Sequence, residues 1–152
     1  MALTRAKAKA GAAKKRTKLP KNYKPSKDEK FMGAKQKEYF RQKLEAWKQD
    51  IVDQTKNTIE FLQSENVSHP DLVDSAAANA DRRMELRSRD RLRKLINKID
   101  KALVRLKNDE YGYCEETGDP IHLGRLEARP IATLGLEAQE MHEAAERARK
   151  MG

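Results

Sequence analysis

Two long stretches of the chain carry apolar residues at helical spacing, and a short stretch between them cannot continue a helix. In the first stretch the apolar residues recur at steps of four, three and four, on one helix face: Phe40, Leu44, Trp47 and Ile51. This pattern predicts a helix from about Gly33 to about Asn66. Pro70 lacks an amide hydrogen and disfavours helical geometry at His69, so we expect a turn there.

The second stretch predicts a helix from Asp71, or just after it, to about Asn108. Its apolar stripe has a distal part near the turn, made of Val73, Ala77, Ala80 and Met84. A proximal part follows, made of Leu92, Leu95, Ile99, Ala102 and Leu106. Polar residues interrupt both stripes at mid-length, which supports antiparallel pairing in a helical hairpin. The tip of that hairpin is expected at about residues 68–76.

The tip carries two carboxylates, Asp71 and Asp74. Asp71 suits the N-cap position of the second helix, and Asp74 can complement the positive end of the helix dipole. On the residues alone this capping role is favoured over a functional one.

After the hairpin, glycines and prolines break the helical pattern between residues 109 and 130, which indicates a small knuckle. A last helix is predicted from about Ala132 to Lys150. One face of it is expected to pack on the hairpin base and the knuckle: Leu134, Ala138, Met141, Ala145 and Ala148. The knuckle residues expected against this helix are Tyr111, Tyr113, Ile121 and Leu126. The predicted fold is mainly α, a long antiparallel two-helix coiled-coil hairpin with a small knuckle and a C-terminal helix.

The charge is concentrated at one end of the chain. The formal net charge is +9, but ten of the 33 basic residues and no acidic one lie between residues 1 and 27, which leaves a net charge of −1 for the remainder. We therefore predict a basic disordered arm over residues 1–29, the hairpin over 30–108, and the knuckle with the last helix over 109–152. The arm either attracts DNA, RNA or an acidic protein surface loosely, or is a solvated tail. The nearly neutral body argues against sequence-specific DNA binding.

Other features exclude several classes of protein. No apolar run is long enough to span a membrane, and the N-terminus has no apolar signal region, so neither a membrane nor a secreted protein is expected. The single cysteine, Cys114, excludes an internal disulfide and fits a reducing cytoplasm. The chain shows no Ser-His-Asp arrangement, phosphate loop or metal-binding spacing, so we do not expect an enzyme.

Several motifs, in the same order along the chain, resemble the DksA family of bacterial transcription factors. They are Leu-Glu-Ala-Trp (44–47), Pro-Asp-Leu-Val-Asp (70–74), Arg-Ser-Arg-Asp-Arg-Leu-Arg-Lys-Leu-Ile (87–96), Tyr-Gly-Tyr-Cys-Glu (111–115) and Arg-Leu-Glu-Ala-Arg-Pro (125–130). The resemblance covers about residues 30 to 150. It implies a cytoplasmic, monomeric regulator that binds RNA polymerase, enters its secondary channel and destabilises promoter open complexes together with the alarmone ppGpp. Ribosomal RNA promoters would be repressed and amino-acid promoters activated, as in the stringent response.

The resemblance also implies roles for individual residues. Asp71 and Asp74 would act near the polymerase active site, which raises their functional role above the capping one. Arg91, Lys98 and Arg129 would contact the polymerase or ppGpp. Two family positions differ, with Ser68 in place of an Asn and Gln139 in place of a Lys.

The largest departure from the family concerns zinc. Typical members hold zinc with four cysteines, whereas the corresponding positions here are Cys114, Thr117, Gly135 and Ala138. A structural zinc site needs four ligands, and the last three residues supply none. A substitute set of Cys114, Asp119, His122 and His142 matches no zinc spacing. The resemblance therefore implies a zinc-finger-like knuckle that is metal-free here, with no tightly bound cofactor.

A transcript-cleavage factor of the Gre type is the alternative. Gre factors also carry acids at a coiled-coil tip and use the same channel. They place the hairpin at the N-terminus and follow it with a mostly β domain, whereas this chain is expected to end in a knuckle and a helix.

Overall fold

The computed structural model describes residues 16–65 and 72–152, with side chains at 16–60 and 76–152. Four helices form: α1 (Ala34–Glu65), α2 (Leu72–Lys107), α3 (Leu123–Ala128) and α4 (Leu136–Met151). Within these ranges no strand forms, and one isolated antiparallel bridge joins Tyr113 to Pro120. The mainly helical fold class is confirmed. None of the described helices is long and apolar enough to cross a membrane.

Helices α1 and α2 are the antiparallel arms of a hairpin. Lys37 Nζ lies 2.7 Å from Asp109 Oδ1, and Lys48 Nζ lies 2.6 Å from Asp100 Oδ1. The paired residues therefore have increasing numbers on the α1 side and decreasing numbers on the α2 side. The two helices are antiparallel, as predicted. The expected tip, residues 68–76, lies mostly outside the described side chains.

The base of the hairpin is closed by a continuous apolar seam. Its buried members are Phe40, Leu44 and Ile51 of α1 with Ile99, Ala102 and Leu106 of α2. Trp47, Leu92 and Leu95 are partly buried against them. The proximal stripes of both helices are thus confirmed, because residues at steps of three and four meet on facing sides of the two helices.

The distal stripe of α2 is not a buried seam, contrary to the sequence expectation. Ala77 and Ala80 are exposed, and Met84 is 68% exposed. Alanine side chains are too short to fill the space between helix axes. On α1, Thr55 turns its hydroxyl back to its own helix and donates to Ile51 O at 2.8 Å. Val73 lies among the side chains that the structure does not describe.

The segment before α1 is attached to the base by a buried glutamine. Gln36 is 1% exposed, and its Oε1 accepts a hydrogen bond from the Met32 amide at 2.9 Å. Its Nε2 donates to Ser26 O at 3.1 Å. Met32 is buried against Gly112, so the segment reaches the knuckle as well as α1.

The knuckle packs on α1 and on the segment before it, and it also contacts α4, where the His142 ring meets Glu116 and Ala138 joins the same core cluster as Cys114. Tyr111, Ile121 and Leu126 are buried in the core. The Tyr111 ring lies 5.6 Å from Phe40, and the Tyr113 ring lies 5.5 Å from Phe31.

Helix α4 begins later than predicted and is mostly exposed. Residues 132–135 run along the knuckle loop instead, where Thr133 O accepts a hydrogen bond from the Glu115 amide at 2.9 Å. Of the expected apolar face, Ala138 is buried and Leu134 is partly buried, whereas Met141 is 71% exposed. The face is too rich in alanine to hold the rest of the helix against the base.

Candidate functional site

The acidic tip lies mostly outside the described side chains. Asp71 and Ser68 lie outside the described residues. Asp74 is the third residue of α2, and the structure describes its backbone alone. The roles predicted for Asp71 and Asp74 remain predictions.

A basic cleft of about 300 Å³ lies at the other end of the hairpin, between α2 and the chain around α3 and α4. Five cations and one acid line it: Lys98, Lys101, Arg105, Arg125, Arg129 and Glu115. Lys98, Arg129 and Gln139, which the sequence analysis named from distant parts of the chain, all line this one cleft. Arg91 lies outside it, about two turns of α2 from Lys98.

Two of the five cations hold the walls together. Arg105 Nη2 donates to Tyr113 O at 2.7 Å and to Glu110 O at 3.2 Å, and Arg105 Nη1 lies 3.6 Å from Glu115 Oε1. Arg125 Nε donates to Leu134 O at 3.0 Å. These contacts join α2 to the knuckle and α3 to the chain before α4.

The other three cations remain available to an anion. Lys98, Lys101 and Arg129 are exposed, and among the described residues their side chains have no ion pair or hydrogen bond. The backbone of Arg129 is fixed, because its amide donates to Arg125 O at 2.8 Å and its carbonyl accepts from the Ala132 amide at 3.0 Å. The arrangement suits a ligand with several negative charges, such as a phosphate compound.

A contact with α1 sets the position of α3 beside the cleft. Glu127 Oε1 accepts from the Tyr39 hydroxyl at 2.7 Å and from Lys43 Nζ at 2.9 Å. Lys43 Nζ also donates to Glu127 O at 2.8 Å. Partial burial acts to raise the pKa of Glu127, but the hydrogen bonds from Tyr39 and Lys43 and the Lys43 charge outweigh it and lower that pKa.

The end of α3 is held by a second tyrosine. The Tyr111 hydroxyl donates to Pro130 O at 2.6 Å, and burial raises the pKa of Tyr111. Together with the Glu127 contacts, this hydrogen bond gives the Arg-Leu-Glu-Ala-Arg-Pro motif a structural role. Its contacts hold α3 in place and so position Arg129 at the cleft.

Reasoning from the sequence missed Lys101 and the structural roles of Arg105 and Arg125. A signal was present for two of them, because Lys98, Lys101 and Arg105 are separated by three and four residues and so share a helix face. Nothing in the local sequence pattern indicates that Arg125 reaches Leu134 O.

Comparison with known families identifies two models that together match residues 36–144. "DnaK suppressor protein DksA, N-terminal domain" matches residues 36–106, which include most of the hairpin. "Prokaryotic dksA/traR C4-type zinc finger" matches residues 109–144, which include the knuckle, α3 and the start of α4.

Similar proteins with established names belong to the same family as the two models. The chain is 57% identical over 126 residues to a protein of Caulobacter vibrioides named RNA polymerase-binding transcription factor DksA, covering 83% of this chain and 89% of the relative. The protein of that name in Escherichia coli is 40% identical over 125 residues, covering 82% and 83%. The solved structure of transcription factor DksA2 from Pseudomonas aeruginosa superposes with a TM-score of 0.73 at 38% identity, covering 77% of this chain and 90% of that one.

The second family model describes a four-cysteine zinc finger, but the residues present here do not form a zinc site. Cys114 is 4% exposed, and a Cβ built on Gly135 would lie 3.9 Å from Cys114 Cβ, so these two family positions are adjacent. Ala138 is buried nearby, but neither Gly135 nor Ala138 has a ligating side chain. Hydrogen bonding from Thr117, and then from the Gly135 amide, lowers the pKa of Cys114 to about 7.

The substitute ligand set is not assembled either. His122 Nδ1 accepts from the Gly124 amide at 3.2 Å and so caps α3, while the His142 ring contacts Glu116. Within residues 16–65 and 72–152, no three His, Cys, Asp or Glu side chains are grouped to hold a metal ion. One sulfur ligand in a packed core does not make a structural zinc site.

Proposed function

The chain belongs to the DksA family, and on that basis we propose that it binds bacterial RNA polymerase and regulates transcription initiation. The observation that carries this proposal is the 57% identity to a named RNA polymerase-binding transcription factor over 89% of its length. Matches to the family's models for both the hairpin and the knuckle support it. The Gre-type alternative finds no support in these comparisons, and the relatives are named as transcription factors, so we propose a regulator rather than an enzyme.

The proposed mode of action is insertion of the hairpin into the secondary channel of the polymerase. Helices of 32 and 36 residues at 1.5 Å per residue give a rod roughly 50 Å long, and two helices side by side are roughly 20 Å wide. Such a rod can enter a passage that excludes a globular domain. Asp71 and Asp74 would then act near the active site and destabilise promoter open complexes, lowering ribosomal RNA transcription and raising that of amino-acid promoters.

The proposed co-regulator is ppGpp, bound at the polymerase interface beside the basic cleft. Its phosphate groups match the free cations Lys98 and Arg129, since charge-assisted hydrogen bonds to phosphate are strong. Arg91, further along α2, would contact the polymerase. Gln139 lines the cleft where the family has a cation, so the coupling to ppGpp is expected to be weaker here.

The remaining features of the proposal follow from this activity. The protein would act as a monomer in the bacterial cytoplasm, where the polymerase works. It would not read DNA sequence, and its knuckle would hold no zinc, because three of the four family positions have no ligating side chain.

Transcription in vitro from a ribosomal RNA promoter, with and without ppGpp, tests the proposal. Wild type, Asp71→Asn and Asp74→Asn should be compared, because asparagine caps a helix about as well as aspartate but carries no charge. We expect wild type to inhibit, and Asp74→Asn to bind polymerase without inhibiting. Equal inhibition by all three proteins would show that the tip acids are only helix caps. Absence of polymerase binding by wild type would overturn the proposed function.

A further inference from the structure

A concentrated positive charge lies in the chain before α1. Residues 16–27 contain five cations and no acidic residue, and so do residues 1–15, which lie outside the described chain. From residue 28 to the end, 23 basic residues stand against 24 acidic ones, so the rest of the chain is nearly neutral. The five cations of the described part are all exposed: Arg16, Lys18, Lys21, Lys24 and Lys27.

Residues 16–33, which we call the docked segment, are attached to the base of the hairpin. The Tyr23 ring packs edge-on against Tyr39 of α1, with the ring centres 6.1 Å apart. Gln36 of α1 donates to Ser26 O at 3.1 Å. The cations of the segment are therefore presented on the surface of the folded protein.

The attachment lies at the end of the hairpin opposite the tip. Tyr39 is in the second turn of α1, and the helix from there to Glu65 is roughly 39 Å long at 1.5 Å per residue. Arg16 is also close to the start of α1, since its charge acts on the carboxylate of Glu38. A hairpin that enters a channel by its tip therefore leaves the docked segment outside the channel.

Three lysines of the docked segment are available to an anion from outside. Lys18, Lys21 and Lys27 make no ion pair or hydrogen bond within the described chain. Lys24 differs, because its charge acts on the carboxylate of Glu127. The three lysines continue, on the folded surface, the run of positive charge that residues 1–15 begin.

We infer that the docked segment, together with residues 1–15, binds the phosphate groups of duplex DNA without sequence preference. This is a second activity beside the proposed contact with RNA polymerase, and it needs no polymerase to occur. Duplex DNA carries a regular and dense row of negative charges, and the lysines that bind it release the small cations condensed around it. Contacts to phosphate carry no sequence information, so this kind of binding depends on charge and needs no shaped site.

The aromatic content of the segment favours duplex over single-stranded nucleic acid. Proteins that bind single strands stack the bases on aromatic side chains. No aromatic residue occurs before Tyr23, and the Tyr23 ring is packed against Tyr39. Phosphate groups are therefore the part of a nucleic acid that this segment can bind, and a duplex presents them at higher density than a single strand does.

The same stretch is poorly suited to a protein partner. Protein interfaces are centred on aromatic and large apolar side chains, which fill pockets on the partner. Before Tyr23 the large apolar residues are only Met1, Leu3 and Leu19. Duplex DNA, which can be bound by charge alone, is thus favoured over an acidic protein surface.

Two triple variants of the full-length protein test the inference. The segment variant removes the three available lysines: Lys18→Gln, Lys21→Gln and Lys27→Gln. The control variant removes three exposed lysines from other parts of the surface, which also make no ion pair or hydrogen bond within the described chain: Lys56→Gln, Lys107→Gln and Lys150→Gln. Circular dichroism and thermal melting of both should match wild type, because all six side chains are on the surface.

Fluorescence anisotropy with a labelled duplex of arbitrary sequence, without polymerase, then measures DNA affinity at several salt concentrations. We expect the segment variant to bind about tenfold more weakly at about 0.1 M salt, with a slope of log affinity against log salt that is shallower by about two to three. The control variant should bind within about twofold of wild type. No duplex binding by wild type, equal weakening of both variants, or weakening of neither would overturn the inference.

Two further measurements distinguish duplex DNA from other partners. A labelled single strand of the same length should bind more weakly than the duplex, and tighter binding of the single strand would overturn the inference. Affinity for RNA polymerase without DNA should stay within about twofold of wild type in the segment variant. Loss of polymerase affinity with unchanged duplex binding would identify an acidic protein surface as the partner and overturn the inference. A wild type that binds the duplex but not the polymerase would support the inference and contradict the proposed function.

Discussion

The hydroxyl of Tyr39 on α1 donates a 2.7 Å hydrogen bond to the carboxylate of Glu127 on α3, although the two residues are 88 positions apart. Lys43 joins the same carboxylate at 2.9 Å. Because Arg129 follows at the end of α3, this contact fixes one wall of the basic cleft relative to the hairpin. The stability of the base and the shape of the cleft are therefore coupled through Glu127.

Replacing this carboxylate with an amide should destabilise the protein in a pH-dependent way. Glu127→Gln is expected to lower the free energy of unfolding at pH 7 by about 1 kcal/mol, a value kept small because the side chain is 47% exposed. The pKa of Glu127 is lowered in the folded state, so its contribution is present above the ordinary value of 4.5 and is lost as the pH falls through the folded-state pKa. The difference between wild type and variant should shrink below about pH 4.5.

Urea denaturation at several pH values measures this difference. Glu45→Gln is the control, because Glu45 is an exposed α1 glutamate without a hydrogen bond in the described chain. It should change stability by less than about 0.5 kcal/mol at any pH. A constant difference for Glu127→Gln from pH 7 to pH 3 would show that its charge is not involved.

Gly112 should be far less tolerant of substitution than Gly118. Both have positive φ, +90° and +74°, so an alanine is strained at either position. At Gly112 the added Cβ would also lie 2.9 Å from Met32 Cγ, whereas nothing lies within 4 Å at Gly118. We expect Gly118→Ala to cost about 1 kcal/mol and Gly112→Ala roughly 2–3 kcal/mol.

Thermal unfolding of the two variants checks this comparison. Equal losses would mean that backbone strain alone matters and that the contact of the Met32 segment with the knuckle contributes nothing. In a double-mutant cycle, Met32→Ala and Gly112→Ala together should cost less than the sum of the two single losses, because the clash is absent once Met32 is shortened.

The knuckle should be stable without metal. Since Cys114 is the single sulfur ligand at the four family positions, a chelator should leave the melting temperature unchanged. Metal analysis of the purified protein should find far less than one zinc per chain. Thiol oxidants should leave inhibition intact, because no second cysteine is present to form a disulfide within the chain. Stoichiometric zinc, or melting that shifts with chelator, would contradict this prediction.

The long helices were predictable because their signal is long and regular. Steps of three and four between apolar residues, with Pro70 between the two stretches, gave bounds close to the observed α1 and α2. The short helix α3 was missed, since six residues containing Gly124 carry too little periodicity, and its cap is the His122 side chain. The packing of α4 was predicted only in part: Ala138 is buried but Met141 is exposed, because periodicity alone does not show whether an alanine-rich face has enough area to stay buried.

The cleft was predictable only in part. Lys98 and Arg129 were named from the resemblance to a family, and no spacing rule brings them together. Their approach depends on Tyr39 meeting Glu127 and on Arg105 meeting Tyr113 O, which are tertiary contacts. Lys101 could have been found from its position one turn beyond Lys98.

Restoring a cation at position 139 should strengthen the response to ppGpp. Gln139 lines the basic cleft, and its amide donates to Glu143 Oε1 at 2.9 Å. A lysine there would add a charge beside Lys98 and Arg129, where a phosphate compound is proposed to bind. We expect Gln139→Lys to lower the ppGpp concentration for half-maximal inhibition by about three- to tenfold, which corresponds to one added charged contact. Lys98→Gln should raise that concentration.

Gln49→Lys is the matched control for this prediction. Gln49 is an exposed α1 residue whose amide donates at 3.0 Å to Asp53, four positions on, as Gln139 does to Glu143. The substitution thus adds the same charge beside the same kind of acid but away from the cleft. In vitro transcription over a ppGpp titration should give unchanged half-maximal values for Gln49→Lys. If both lysine variants strengthened the response equally, the gain would come from general attraction to the polymerase, and the cleft would not be the place where the alarmone acts.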